Sequence, residues 1–378
     1  MTGPRAIVLV LDGCGAGPTS DAPAFGDVHE PNTLRHVWDA VDGFNAPHLT
    51  SLGFLAAAGI PEAPDASASW GRLRPVGQGK DSVTGHWEMM GIRVSQPFPT
   101  YPNGFPIPLI KSFEAAIGTQ TLGNRPASGT TILDDLGALH VETGFPIVYT
   151  SADSVFQIAA HESVVPLVRL YEMGEIARRL CVAPENVQRV IVRPFVGDAD
   201  AGWRRTENRR DYPIVAPHNL IDEVSSVFGI GVVSELFGNR NFLLVRRTQS
   251  NAAHADLLRE AMNGDHRFIF ANFEDFDMLF GHRNDPVGFA HCLETFDTVL
   301  GEILAALRPE DLLILTADHG NDPTDTSTDH TREYVPLVVV GGQTSGPLGD
   351  QDGLYTVGAL VAAHLQVNLP ISEIHAKT

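Results

Sequence analysis

Four stretches of the chain carry short runs dominated by apolar residues, each closed abruptly by glycine or by charge. Ala6–Leu11 (AIVLVL) stops at Asp12-Gly13-Cys14-Gly15, and Arg267–Phe273 (RFIFANF) stops at Glu274-Asp275-Phe276-Asp277. Leu312–Thr316 leads into Ala317-Asp318-His319-Gly320, and Val335–Val340 into Gly341-Gly342. Short continuous runs rich in β-branched and aromatic residues predict strands buried on both faces, as in parallel sheets covered by helices. Between the second and third runs, Phe289, Cys292, Leu293, Phe296, Val299, Leu300, Ile303 and Leu304 repeat at helical spacing, predicting a helix over Pro286–Leu307. Strand, helix, strand in that order predicts an α/β fold.

From about Gln96 to Asp211 the pattern changes. A proline-rich passage, Pro97-Phe98-Pro99-Thr100-Tyr101-Pro102, opens a region with its own apolar segments (Ile147–Thr150, Gln188–Val192) and helix-like stretches (Leu109–Ile117, Tyr171–Leu180). This predicts an inserted α/β cap over 98–213, with a core assembled from 1–97 and 214–378. A length of 378 residues suits two domains.

The polar residues at the strand ends raise the question of chemistry. Asp12, Asp277 and the Asp318-His319 pair fall at or just beyond strand C-termini, the edge where open parallel sheets bind ligands. Aspartate and glycine also make ordinary turns. A charged Asp-His pair directly after a buried strand is costly, however, unless metal or strong partners neutralise it. His282 follows Asp277 by one short turn (FDMLFGH), and His330 follows in STDHTRE. Three carboxylates and three imidazoles are too many for one ion and fit two, with Ser82 able to add a hydroxyl. Oxygen and nitrogen donors without sulfur suit manganese, magnesium or zinc and argue against a structural zinc site. Two ions about 3.5–4 Å apart are the usual clamp for displacement at phosphorus.

Charge sharpens the picture. There are 46 acidic against 26 basic residues, a net charge of -20, which disfavours nucleic acid and anionic membranes as partners. A phosphate ligand would need local cations in such a field. Three separated cysteines with no CxxC pair suggest neither a disulfide framework nor a thiolate metal site. With no signal-like N-terminus and no long apolar span, the expected location is cytoplasmic.

A second segment, Gly79-Lys80-Asp81-Ser82-Val83-Thr84-Gly85-His86-Trp87-Glu88, places hydroxyls beside a lysine and a helix-like stretch, as an activated nucleophile requires. It lacks the spacing of a phosphate-binding P-loop. Together with LVLDGCGAG, GNRPASGTTILDDLG, YTSADSVFQIAAHE, RVIVRPFVGD, NRRDY, FEDFDMLFGHR and TADHGNDPTDTSTDHTREYVP, this segment resembles the phosphopentomutase family almost end to end. The resemblance implies an alkaline-phosphatase-like core, its parallel-rich sheet sandwiched by helices, and an inserted cap. It also implies two Mn2+ ions, with Mg2+ or Zn2+ as weaker candidates, and a hydroxyl that carries phosphate, primed by a sugar bisphosphate. The implied reaction interconverts a pentose 1-phosphate and a pentose 5-phosphate, of ribose or deoxyribose. Partners would be small sugar phosphates only, and the protein a monomer or weak homo-oligomer.

By motif, Asp277, His282 and His330 would hold one metal; Asp12, Asp318, His319 and the nucleophile would hold the other. The nucleophile aligns with Ser82, where the family usually has threonine, and Thr84 is the alternative. Ser151 and Asp153 resemble residues that face the sugar, and Arg193 and Arg209 those that grip the far phosphate. The resemblance breaks at Val232, which stands where the family has a phosphate-binding lysine. Loss of one charged contact typically costs about 1.5–3 kcal/mol. Arg240 is a nearby candidate substitute. Val232 and Ser82 together open an alternative: a different sugar phosphate handled on the same scaffold, by a mutase or a phosphatase.

Overall fold

The computed structural model describes residues 3–61, 64–65, 67–151, 154–182, 184–246, 248–342 and 345–374. They form two units: residues through Ser95 together with Ala216–Ile374, and Gln96–Val215.

The first unit is built on an eight-stranded sheet. In spatial order the strands are Phe242–Arg246, Val227–Ile230, Phe268–Phe273, Arg5–Leu11, Asp311–Thr316, Val335–Val340, Ser69–Arg74 and Gly346–Asp352. Every neighbouring pair is parallel except the two made by Val335–Val340, which alone runs against the other seven. The central strands Arg5–Leu11, Phe268–Phe273 and Asp311–Thr316 are buried at every position. Both faces of the sheet are therefore covered there, as their continuous apolar pattern requires. Near the edge, Ser69–Arg74 alternates buried and half-buried residues in the period of a strand with one open face.

Register then places the functional edge. Leu11 lies opposite Phe273, and Val10 opposite Thr316, so three adjacent parallel strands end at one level. Their next residues, Asp12, the segment Glu274–Asp277, and Asp318-His319, emerge side by side. Val335–Val340 ends at the opposite edge, because it is antiparallel and Val340 pairs with Leu313 near the start of its neighbour. Its Gly341-Gly342 turn thus shares the form of the other strand ends but not their location.

At that opposite edge, Arg5 and Asp311 pair across neighbouring strands through two hydrogen bonds of 3.0 and 2.5 Å, and Arg5 also donates to the Met262 carbonyl at 2.6 Å. Both charges are fully buried, and a buried pair is tolerated only when its hydrogen-bonding capacity is met in this way. Helix Pro286–Ala306, capped by the Asp285 side chain on Gly288 N, packs on Thr33–Ala40 and Pro47–Ser51.

The second unit has its own mixed sheet: Leu122–Pro126, Ile147–Thr150, Val155–His161, Arg189–Asp198 and Gly202–Arg205, with Arg210–Pro213 also paired to Arg189–Asp198. Helices Ile107–Ile117 and Leu167–Leu180 bury Leu109, Phe113, Leu170 and Met173 against Phe156, Val190 and Val192. Among the described residues, no helix is long and apolar enough to cross a membrane.

Candidate metal centre

The strand ends bring carboxylates together, and two loops bring imidazoles to them. Asp12 and Asp318 are 3 % and 2 % exposed, and Asp277 is 8 % exposed. Asp277 sits in a π-helical turn, Phe276–Phe280, a local form that recurs at functional sites, and the following 3-10 turn carries His282.

The geometry is tight. His319 Nε2 lies 3.4 Å from Asp12 Oδ1 and 3.3 Å from Asp318 Oδ2. His282 Nε2 is 3.2 Å from Asp277 Oδ2, and His330 Nε2 is 3.3 Å from Asp277 Oδ1. The Nε2 atoms of His282 and His330 face each other at 3.1 Å. Two groups of donor atoms converge: Asp277, His319 and His330, and Asp12, Asp318 and His319. By distance, then, His319 belongs to both groups, while His282 joins through Asp277 and His330. The motif resemblance divides the ligands differently, leaving His319 with Asp12 and Asp318 alone.

This donor set fits bound cations. Nδ1 of His282 is 2.6 Å from the Thr328 carbonyl, and Nδ1 of His319 is 3.1 Å from the Gly320 carbonyl. Each Nδ1 must donate there, so in the neutral ring the Nε2 lone pair points into the cluster, the usual arrangement of a ligand histidine; without a metal, a protonated His282 donates from Nε2 to Asp277 instead. Carboxylate oxygens such as Asp12 Oδ1 and Asp318 Oδ2, buried with no hydrogen-bond partner among the described residues, are unfavourable unless a cation lies among them.

The proton affinities carry the same strain. Burial, and then the charges of Asp318 and Asp277, push the Asp12 carboxyl well above the ordinary aspartate range. Burial works against ionised Asp277 too, but hydrogen bonds from His282 and His330 outweigh it and hold the carboxyl low. Asp318 is likewise held low against its burial, by His319 and His86. Burial depresses His319, whereas His282 is raised by its bond to Asp277. Three carboxylates forced together split their affinities in this way when the positive charge available is insufficient.

Ser82 opens helix Ser82–Met89, whose N-cap, Asp81, accepts hydrogen bonds from Val83 N and Thr84 N. The Ser82 hydroxyl is 3.1 Å from His319 Nε2. Thr84, the alternative nucleophile, is buried and donates its hydroxyl to Asp81 Oδ2 at 2.7 Å, so it serves the cap. Gly85 permits the approach of this helix, since a Cβ there would collide with the backbone of Asp318. Lys80, the nearest lysine in sequence, pairs with Asp27 at 2.9 Å and with Asp329 at 3.3 Å.

The positions tied to substrate fall elsewhere. Ser151 is half-buried at the end of strand Ile147–Thr150 in the second unit, and Asp153 lies outside the described residues. Arg193 is half-buried and donates to Gln157 Oε1 at 2.8 Å. Its burial, and then the charge of Arg209, lowers its proton affinity. Arg209 forms a two-point ion pair with Asp211, at 2.6 and 2.5 Å. In the first unit, Val232 donates its backbone N–H to Glu274 Oε1, and burial pushes the Glu274 carboxyl up to about 7. Arg240 is engaged with Asp222 at 2.6 Å and with the Pro217 carbonyl at 3.0 Å.

Three buried side chains at the cluster have no place in the sequence reading: His86, Asn272 and Asn321. His86 Nδ1 is 2.8 Å from the Ser82 carbonyl and 3.3 Å from Asp318 Oδ2. The available signal for Asn272 was its position as the one amide inside the apolar run RFIFANF.

Comparison with known proteins agrees with this chemistry. The metalloenzyme superfamily profile matches residues 4–369. A phosphopentomutase of Herpetosiphon aurantiacus is 44 % identical over 380 residues, spanning 97 % of this chain and 96 % of the relative. That of Acetivibrio thermocellus is 45 % identical over 376 residues, spanning 96 % of each. Among solved structures, the PH0037 protein of Pyrococcus horikoshii aligns over 97 % of this chain and 98 % of its own at 15 % identity and a TM-score of 0.49, too distant to add to the sequence relatives.

Proposed function

The chain belongs to the phosphopentomutase family, within the metalloenzyme superfamily, and from that premise we propose that it interconverts a pentose 1-phosphate and a pentose 5-phosphate, of ribose or deoxyribose, through a phosphorylated Ser82. The observation that carries the mechanism is the Ser82 hydroxyl, 3.1 Å from His319 Nε2 at the first position of a helix and beside the converging carboxylates. Divalent metal is part of the chemistry; we assign two Mn2+ ions ahead of Mg2+ or Zn2+, held by Asp277, His282 and His330 and by Asp12, Asp318, His319 and Ser82. Bound there, the ions supply the positive charge that lowers the hydroxyl pKa and stabilises the transferring phosphoryl group.

The chain's own groups account for the rest. Asp81 fixes the helix end that carries Ser82, and the positive end of the helix dipole favours the phosphorylated side chain. Phospho-Ser82 donates its phosphoryl group to the free hydroxyl of the monophosphate, giving a bisphosphate. Ser82 Oγ then attacks the other phosphate and leaves the isomer. A sugar bisphosphate acts as primer. Ser151 and Asp153 contact the sugar, and Arg193 and Arg209 the far phosphate, because a planar guanidinium suits two-point phosphate contact. The acidic balance of the chain supports a protein without nucleic-acid or membrane partners, and we take it to be cytoplasmic and monomeric or weakly self-associated.

The alternative of another sugar phosphate, or of simple hydrolysis, is not favoured. Val232 and Ser82, which raise it, sit in a chain 44–45 % identical to phosphopentomutases over nearly all of its length. The test is to incubate purified protein with Mn2+, ribose 5-phosphate and a trace of sugar bisphosphate and to follow phosphorus NMR. Ribose 1-phosphate is the expected product. Its absence at high enzyme concentration rejects the pentose assignment, and inorganic phosphate released faster than the isomer forms would favour a phosphatase.

A further inference from the structure

We infer that Asn272 and Asn321 are positioning residues, one for each group of metal-binding donors: each amide holds one oxygen of a ligand carboxylate and so fixes how the other oxygen is presented. The inference rests on the two-metal reading above.

Asn272 lies on Phe268–Phe273, the strand next to that of Asp12, and is fully buried. Its Nδ2 donates to Asp12 Oδ2 at 2.6 Å. Asp12 Oδ1 is left for the cluster: it is buried, lies 3.4 Å from His319 Nε2, and has no hydrogen-bond partner among the described residues. Asn321, 1 % exposed, holds the carboxylate of the other group. Its Nδ2 donates to Asp277 Oδ1 at 2.6 Å, an oxygen that also lies 3.3 Å from His330 Nε2, and this fixes the plane in which Asp277 Oδ2 faces His282 Nε2 at 3.2 Å.

The Asn321 side chain is held in place from several directions. Its backbone N–H lies 2.9 Å from the Gly13 carbonyl and 3.1 Å from Thr33 Oγ1. A Cβ on Gly281 would come within 2.7 Å of Asn321 Nδ2, and one on Gly13 within 3.1 Å of Asn321 Cβ and 3.3 Å of Asp277 Oδ1. Gly13 also has a φ of +75°, which other residues rarely adopt.

The chemistry explains why amides stand here. An ionised carboxylate only accepts, so the amide nitrogen must face it. An amide N–H remains a donor at every pH and adds no charge to compete with a metal. Each asparagine also leaves its own Oδ1 buried with no hydrogen-bond partner among the described residues. Such an orphan is unfavourable, and a leucine of the same shape would avoid it. What leucine cannot do is orient the carboxylate.

The test measures metal binding rather than turnover. Mn2+ is titrated into metal-free wild type, Asn272→Leu and Asn321→Leu, with free Mn2+ read by electron paramagnetic resonance and folding checked by circular dichroism. Wild type should take up two equivalents; if it does not, the two-metal reading fails, whatever the variants do. Each variant should keep one equivalent at wild-type affinity and bind the other about 10–100-fold more weakly, the usual effect of removing a hydrogen bond that orients a ligand. A merely structural role would lower the melting temperature of the metal-free protein without singling out one equivalent. Two equivalents bound at wild-type affinity in a folded variant, or both weakened equally, would overturn the inference. If a leucine variant does not fold, Asn272→Ala and Asn321→Ala, which leave room for water, are read in the same way.

Discussion

Replacing Glu333 with glutamine should stabilise the metal-free protein at pH 8 but not at pH 4.5. Glu333 is fully buried beneath the Asp12 turn. Its Oε2 accepts from Gly17 N at 3.1 Å and Thr33 N at 3.0 Å, and its Oε1 meets the Thr33 and Thr331 hydroxyls, each at 2.7 Å. Burial pushes its carboxyl up to about 7 from an ordinary 4.5, more than the bonds from Thr33 and Thr331 pull it down. Between those values the folded state binds a proton that the unfolded chain has released. Stability from this group is therefore complete below about 4.5 and lost as pH rises through about 7. At about 1.4 kcal/mol per pH unit, the loss comes to about 3 kcal/mol. Glutamine copies the protonated form: its oxygen can accept from the two backbone N–H groups, and its nitrogen can donate to hydroxyls that turn to receive it. Urea unfolding of chelator-treated protein, wild type against E333Q, should show a gap that widens in favour of the variant by about that amount from pH 4.5 to 8. Other titrations occur in both proteins and cancel. A gap independent of pH would refute the reasoning. Adding Mn2+ should shrink the effect, because nearby cations favour the ionised carboxylate.

Other perturbations separate the roles around the cluster. Ser82→Ala should abolish the phosphoenzyme seen by intact mass after exposure to a sugar bisphosphate, whereas Thr84→Val should retain it and lose about 1 kcal/mol with the bond to Asp81; a phosphoenzyme in S82A would move the nucleophile elsewhere. Asp81→Ala removes the cap on Val83 N and Thr84 N and should cost about 1 kcal/mol in thermal unfolding, with slower phosphorylation of Ser82. Arg332 is 1 % exposed, pairs with Asp21, and donates to the carbonyls of Pro75, Gly77 and Gly79, which lead into the Ser82 helix. Arg332→Ala should cost about 3–5 kcal/mol in denaturant unfolding, and a loss under about 1 kcal/mol would show the network to be incidental.

The parts of the site that could be read from the sequence are those whose cost is local. Asp12 and Asp318-His319 announce themselves because charge at the end of a fully buried strand needs a compensating partner wherever the rest of the chain goes. The strands themselves were legible where both faces are covered, as in Arg5–Leu11 and Phe268–Phe273, since there the run is apolar almost throughout. Ser69–Arg74 (SWGRLR) gives no such run because it lies near the edge, and its arginines reach out to Asp350 and Asp352. Strand direction was legible where a helix intervenes, as between Phe268–Phe273 and Asp311–Thr316, but not for Val335–Val340. An apolar run has no polarity of its own, and Val335–Val340 is reversed because the Ala317–Tyr334 segment, with Gly320 bridged to Thr331, brings the chain back at the same edge it left.

The same distinction explains why the amides escaped notice. Asn272 meets a carboxylate 260 positions away and Asn321 one 44 positions away, so neither spacing nor periodicity links them to a ligand. Their local signal is only a polar side chain where an apolar one would serve, and that cannot say which acceptor is faced. A bimetallic centre is thus legible in proportion to charge. Groups that bind a cation must carry lone pairs or negative charge and stand out against an apolar sheet, whereas the amides that aim those ligands are neutral and add no charge to compete with the metal. Neutral buried amides with one end unpaired are therefore the feature to seek around any cluster of carboxylates at the C-terminal edge of a parallel sheet.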